Sequence, residues 1–240
     1  MNQTLSQPHR HRSLQRMVED QMLRWTNLPG DAKRKARSPV VAISRQEGTH
    51  GDAAARALAY DLGMDFYDRE IVQLMAREAH IRERVLRSLD ERGKNFIEDL
   101  FTHLLNRYGI TSDEYFDLLG RTIGAIDWHG DAVIVGRGAA HIVRRPENLT
   151  VRFVAPLQDR IAILCTELGL QPWQAHDRIT RFDRQRQAFM HRYFRTAEGT
   201  GEFDLVIDNR FVGLEASVEI LKAAVLTKIT GADRSKQASP

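Results

Sequence analysis

From residue 40 onward, short unbroken apolar runs alternate with longer stretches of helical periodicity. The runs are Val40-Val41-Ala42-Ile43, Ala132-Val133-Ile134-Val135, Val151-Arg152-Phe153-Val154 and Leu205-Val206-Ile207. Runs this short and this rich in β-branched residues, separated by ten or more helical positions, predict parallel strands buried on both faces. The fold class is therefore expected to be α/β, built on a doubly wound parallel sheet. In such sheets ligands lie beyond the carboxyl ends of the strands. The segments where chemistry is to be sought are then Ser44 to Asp52, Gly136 to Gly138, Ala155-Pro156 and Asp208-Asn209.

Almost ninety residues separate the first two runs, too many for one crossover helix. Residues 53–62 predict that helix, with Gly63 ending it; Met64 to Tyr67 read as a short strand, and Asp68 as the cap of a helix from Arg69 to Ala79. Phe96, Ile97, Leu100, Phe101, Leu104 and Tyr108 form one amphipathic face, and Tyr115, Leu119, Ile123 and Ile126 another. Together they predict a helical insert at about 80–130 on the ligand edge of the sheet.

Residues 1–38 form a different unit. Leu14, Val18, Met22 and Trp25 recur at helical spacing, Pro29-Gly30 stops that helix, and the charged stretch Asp31 to Ser38 reads as an exposed linker. The apolar stripe suits packing on the domain, on a second copy of the chain in a homo-oligomer, or on a membrane surface; acidic Glu19 and Asp20 beside it speak against the membrane. Residues 231–240 are expected to be a disordered tail, leaving 39–230 as the single α/β domain.

Charge changes the picture once it is localised. The isoelectric point of 9.2 suggests a polyanion partner, yet residues 1–38 hold eight basic against three acidic residues. The other 202 residues carry a net −2 within the total of +3. A broad basic face for nucleic acid is not expected. The one cysteine, Cys165, forms no internal disulfide and reads as a small buried hydrophobe. No apolar run approaches the ~18 residues of a membrane span, and the N-terminus lacks a signal-peptide core, so a cytoplasmic location is expected.

The loop Ser44-Arg45-Gln46-Glu47-Gly48-Thr49-His50-Gly51-Asp52 follows a buried strand and opens a helix, the context in which backbone amides cradle phosphate. Set against G-x-x-x-x-G-K-[ST] with Gly51 as the second glycine, Gln46 stands for the first glycine, Asp52 for the lysine and Ala53 for the hydroxyl residue. A carboxylate in the first helical turn repels the phosphate that a lysine neutralises. Alternatively, Asp52 is an ordinary acid favoured by the helix dipole after a plain turn.

The stretch VVAISRQEGTHGD resembles the S-R-[EQ]-x-G-S-G-G-R opening of the cytidylate kinase-like family. FYDREIV at Phe66 to Val72, VIVGRGAAHIV at Val133 to Val143, the spacing Asp183-x-x-Arg186-x-x-Phe189-x-x-x-Tyr193-Phe194 and FDLVIDN at Phe203 to Asn209 follow in family order, across roughly residues 40–225. VEDQMLRW at Val18 to Trp25 also looks like an N-terminal extension of some members. The resemblance implies a P-loop NTPase-like nucleoside monophosphate kinase fold with a monophosphate-binding insert and an arginine-rich lid at about 176–200. It implies phosphoryl transfer from Mg-ATP to CMP or dCMP, with ATP and Mg²⁺ as cofactors and nucleotides as partners. A kinase-like protein that binds nucleotide and senses without turnover is the alternative. His50 and Asp52 depart from the family's glycine pair and following arginine, so Arg45 or a lid arginine has to supply the missing charge.

On that reading the phosphate loop comprises Ser44, Arg45, Gly48, Thr49, His50 and Gly51, with Thr49 the one loop hydroxyl near a Mg²⁺ position. Arg137, between two glycines, is expected to hold the monophosphate, helped by Arg69; Asp68 either contributes there or only caps its helix. Arg184 and Arg186 are expected to clamp the transferring phosphoryl group with Asp183 orienting one of them, the alternative being a solvated helix face. Asp208-Asn209 either meets the base or holds the adjacent loop.

Overall fold

The computed structural model describes residues 38–70, 91–108, 114–143, 145–194 and 203–237, with Val72, Met75, Glu83 and Leu89, and Glu19 and Leu23 from the N-terminal extension. Those last two are helical; the rest of the expected N-terminal helix, its linker and its oligomer contact lie outside the described residues. Most of the helix expected from Arg69 to Ala79, and residues 195–200 of the expected lid, lie outside them as well.

Five parallel strands form one sheet: β1 (Val40–Arg45), β2 (Asp65–Tyr67), β3 (Ala132–Val135), β4 (Leu149–Val154) and β5 (Leu205–Asp208), in the order β2-β3-β1-β4-β5. All four predicted runs are strands. Alternation along β1 explains why its run is unbroken. Val40 and Ala42 enter one core, Val41 and Ile43 the other, and all four are at most 1% exposed.

One core lies between the sheet and the insert helices α2 (Glu91–Tyr108) and α3 (Glu114–His129). The other lies beneath α1 (Gly51–Leu62) and α7 (Leu214–Gln237). Gly63 ends α1 in a left-handed conformation, φ +65, its N–H directed to the carbonyls of Ala59 and Tyr60. A short α4 (Ala139–Ile142) follows β3, and α5 (Leu157–Leu168) follows β4. The 23-residue α6 (Pro172–Phe194) ties two regions together. At its C-terminal end Phe194 and Tyr193 pack on Phe116 of α3, the Tyr193 and Phe116 rings stacked 5.3 Å apart. Its N-terminal half joins α5 through Leu164, Ala175 and Ile179. Cys165 packs against that cluster partly buried, so it behaves as the small apolar group expected without being enclosed.

Residues 231–237, assigned to a disordered tail, continue α7, because the chain keeps hydrogen bonding along a helix whose earlier turns are anchored by Val218, Leu221 and Val225 in the core.

At the amino ends of the strands, away from the expected ligand edge, Asp127 of α3 is fully buried. Its Oδ1 accepts from Arg145 Nε and Asn148 Nδ2, each at 2.8 Å. Arg145 also reaches Glu147 and the Ser38 carbonyl, and Asn148 Oδ1 accepts from the Val40 amide at 2.9 Å. This network fixes where β1 begins.

Candidate functional site

A cleft of about 380 Å³ opens at the carboxyl ends of β1 and β3. Its floor is the end of β1, Ser44 and Arg45, and the Gly136-Arg137-Gly138 turn between β3 and α4; Arg69 and one face of α6 form the walls.

The turn takes three successive left-handed residues, φ +80, +52 and +70. Both glycines are needed. A Cβ on Gly136 would lie 3.0 Å from Arg45 Nη1, and one on Gly138 would lie 2.3 Å from Phe194 Cε2. Arg137 has a Cβ in a region that L-residues avoid, so its backbone is strained at the point where it borders the cleft. Its guanidinium stands 6.0 Å from the centre of the Phe189 ring on α6.

Helix α6 faces the turn with a charged and aromatic surface. Arg186 Nη2 donates to Ser44 Oγ at 3.2 Å, directly joining α6 to the end of β1. The Arg69 and Arg178 guanidiniums lie over the Phe182 ring, 5.3 and 5.0 Å from its centre. Arg178 Nε donates to Glu47 Oε1 at 2.5 Å. Asp183 Oδ2 accepts from Arg160 Nη1 and Nη2 of α5, at 2.9 and 2.5 Å.

The loop after β1 is closed. Thr49 N–H donates to the Gln46 carbonyl at 3.3 Å across Gly48, φ +81, the arrangement of a type II turn, and Thr49 Oγ1 donates to the same carbonyl at 2.8 Å. Gln46 N–H donates to Phe153 O and His50 N–H to Asn209 Oδ1. Three amides along this stretch are thus already used inside the protein. Gly48, Thr49 and Gly51 are buried; a Cβ on Gly48 would lie 2.6 Å from the Arg160 carbonyl oxygen. Asp52 receives Arg45 Nε on both carboxylate oxygens at 3.1 Å, so Arg45 balances this acid in the first turn of α1. These three amides are not available to the phosphates of ATP, and Asp52 adds a carboxylate beside them.

Arg45, Arg69, Arg137, Asp183, Arg186 and Ser44 meet at the cleft. Gly48, Thr49, His50 and Gly51 do not border it; the His50 ring pairs with Glu167 at 3.0 Å. Arg184 is exposed and lies off the cleft, which the 100° step between successive helical residues explains, since Arg186 and Asp183 occupy the facing side. Asp68 accepts from the Glu70 N–H at 2.9 Å and from Arg56, as a cap does. Asp208 pairs with Arg210, while Asn209 holds the loop through His50 and the Val212 carbonyl. Among the described residues no group of three His, Cys, Asp or Glu side chains is placed to hold a metal ion, and Thr49 directs its hydroxyl into the turn.

Sequence reasoning did not find Arg160, 3% exposed, or Glu47. A signal for Arg160 existed, since it sits one turn before buried Leu164 on the apolar side of α5.

Residues 40–210 match the model of the cytidylate kinase-like family. The chain belongs to that family. Among solved structures, an uncharacterized protein from Eubacterium ventriosum shares 18% identity at a TM-score of 0.60, over 80% of this chain and 99% of that one. A gluconokinase from Sinorhizobium meliloti is 10% identical at a TM-score of 0.46, over 84% of this chain and 98% of that one. A shikimate kinase from Bacteroides thetaiotaomicron is 15% identical at 0.41, over 78% and 98%. No curated protein matches the sequence. This cytidylate kinase-like chain has the α/β fold expected, a parallel sheet covered by helices on both faces, and no helix among its described residues is long and apolar enough to cross a membrane.

Proposed function

We propose that this cytidylate kinase-like protein receives the phosphate of a nucleoside monophosphate, CMP or dCMP, in the arginine cleft. The observation that carries the reading is the convergence of Arg69, Arg137 and Arg186 on one cleft beyond the carboxyl ends of parallel strands. Planar guanidinium groups bind phosphate oxygens through paired N–H donors, and the glycines beside Arg137 let a ligand approach the backbone closely. Phe182 and Phe189 supply an apolar wall for the nucleoside. Arg137 binds the phosphate, and Arg186, placed by its bond to Ser44, orients it from the opposite side.

Family membership favours phosphoryl transfer from Mg-ATP as the reaction. Such a transfer needs positioning and charge balance more than a protein nucleophile, and arginines on facing elements suit that need. The closed turn favours a second reading, binding without turnover, because ATP phosphates find three loop amides engaged and Asp52 in the first turn of α1.

Two measurements test these readings. CMP at a hundredfold its dissociation constant is expected to stabilise the protein by ~2.7 kcal/mol, raising the melting temperature by about 5–11 °C. No shift with CMP or dCMP removes the proposal. A coupled assay of ADP formation with Mg-ATP and each nucleoside monophosphate then separates the two readings. Turnover that Arg186→Ala lowers about tenfold or more supports the kinase; binding with no turnover supports the regulator.

A further inference from the structure

Glu47 places a carboxylate in a cleft whose other contacts favour anions. The lining carries four arginines, Arg45, Arg69, Arg137 and Arg186, against two acids, Glu47 and Asp183. Asp183 is engaged by buried Arg160. Glu47 is held differently. Its side chain is 11% exposed, and among the described residues its one partner is Arg178, on Oε1. Arg178 is in turn steadied against the Phe182 ring. Latched in this way, the carboxylate has little freedom to swing out of the cleft.

We infer that Glu47 is a specificity-determining residue that restricts the arginine cleft to phosphomonoesters and rejects diphosphates and triphosphates. The inference rests on the monophosphate reading above and deepens it. A second phosphoryl group brings further negative charge into the same small volume. A carboxylate is purely an acceptor of hydrogen bonds, so it has no donor to offer a phosphate oxygen, while a hydroxyl or amine of the ligand is welcome beside it. For one added charge at ~5 Å and an effective dielectric constant near 20, the penalty in affinity is on the order of a hundredfold for a lone carboxylate, reduced here by the Arg178 counter-charge and by solvent on the open side.

The experiment is calorimetric titration of the full chain with CMP, CDP and CTP without Mg²⁺, and with orthophosphate and pyrophosphate as probes lacking the nucleoside. The wild type is expected to bind CMP about tenfold or more tightly than CDP, and Glu47→Gln to bring that ratio within about threefold. Glu47→Ala is a second uncharged variant expected to give the same collapse. Arg178→Ala removes the latch but keeps the carboxylate, and is expected to retain a ratio of about fivefold or more. A ratio that persists in both Glu47 variants overturns the inference. So does an Arg178→Ala ratio as low as theirs, since the effect then belongs to the α6 latch and not to charge. Absence of any cytidine nucleotide binding by the wild type refutes the monophosphate reading instead, and the orthophosphate to pyrophosphate ratio, judged across the same variants by the same criteria, still decides the role of Glu47.

Discussion

Arg137 combines a side chain at the cleft with a strained backbone, and two substitutions separate these contributions. Arg137→Ala and Arg137→Gly both remove the guanidinium and its contact with Phe189, so any difference between them comes from the backbone at φ +52. A Cβ in the left-handed region costs roughly 1–2 kcal/mol, and the greater freedom of glycine in the unfolded chain takes back about 0.5–1. Arg137→Gly is therefore expected to be more stable than Arg137→Ala by about 1 kcal/mol, or roughly 2–4 °C in melting temperature for a domain of this size. On the proposed phosphate role, both variants lose a charge-assisted hydrogen bond worth about 1.5–3 kcal/mol, so CMP affinity is expected to fall roughly 10- to 150-fold in each. Melting curves with and without CMP measure both effects. An Arg137→Ala protein that binds CMP within about threefold of the wild type refutes the phosphate role, and equal stability of the two variants refutes the strain argument.

Two further expectations concern the frame around the cleft. Asp127→Ala leaves Arg145, whose side chain is 6% exposed, without its main buried partner; a loss of about 3–5 kcal/mol is expected in urea unfolding, with CMP affinity unchanged because the network lies at the far end of the strands. A loss under about 1 kcal/mol contradicts the assignment of this network as the anchor of β1. Burial acts to raise the pKa of Asp204, but hydrogen bonds from Lys228 and from the Thr150 amide and hydroxyl outweigh it and hold the carboxyl below its ordinary value. A depressed carboxylate contributes stability that is fully present above its unfolded pKa and is lost as pH falls through the folded one. Asp204→Asn is thus expected to lower stability at neutral pH and to converge with the wild type in acid, and parallel curves of stability against pH would count against it.

The elements were legible wherever local pattern and tertiary environment agree. The four apolar runs are strands because a parallel strand covered on both faces has no need for polar alternation, and Gly63 ends α1 because the chain turns left-handed there. Arg137 and Arg186 were legible as cleft residues from glycine flanks and family spacing. Arg184 was not separable from Arg186 in the sequence, because an arginine-rich helix does not announce which of its faces is turned inward. That Thr49 and His50 of the expected phosphate loop do not border the cleft was hidden for a related reason. Whether a loop amide is available to a ligand depends on acceptors from distant segments, here Asn209 and, for Gln46, Phe153.

By itself the sequence determined the α/β class, the positions of the strands, the helical insert and the family, since each of these is written in the period and order of residues near one another in the chain. Tertiary structure alone decided that Asp52 is balanced by Arg45, that Asp183 is held by Arg160, and that Glu47 stands in the cleft latched to Arg178. The physical reason is that a charge is defined by what surrounds it. The partners of Asp183 and Glu47 come from other helices, brought within about 3 Å only when the sheet and its layers have closed.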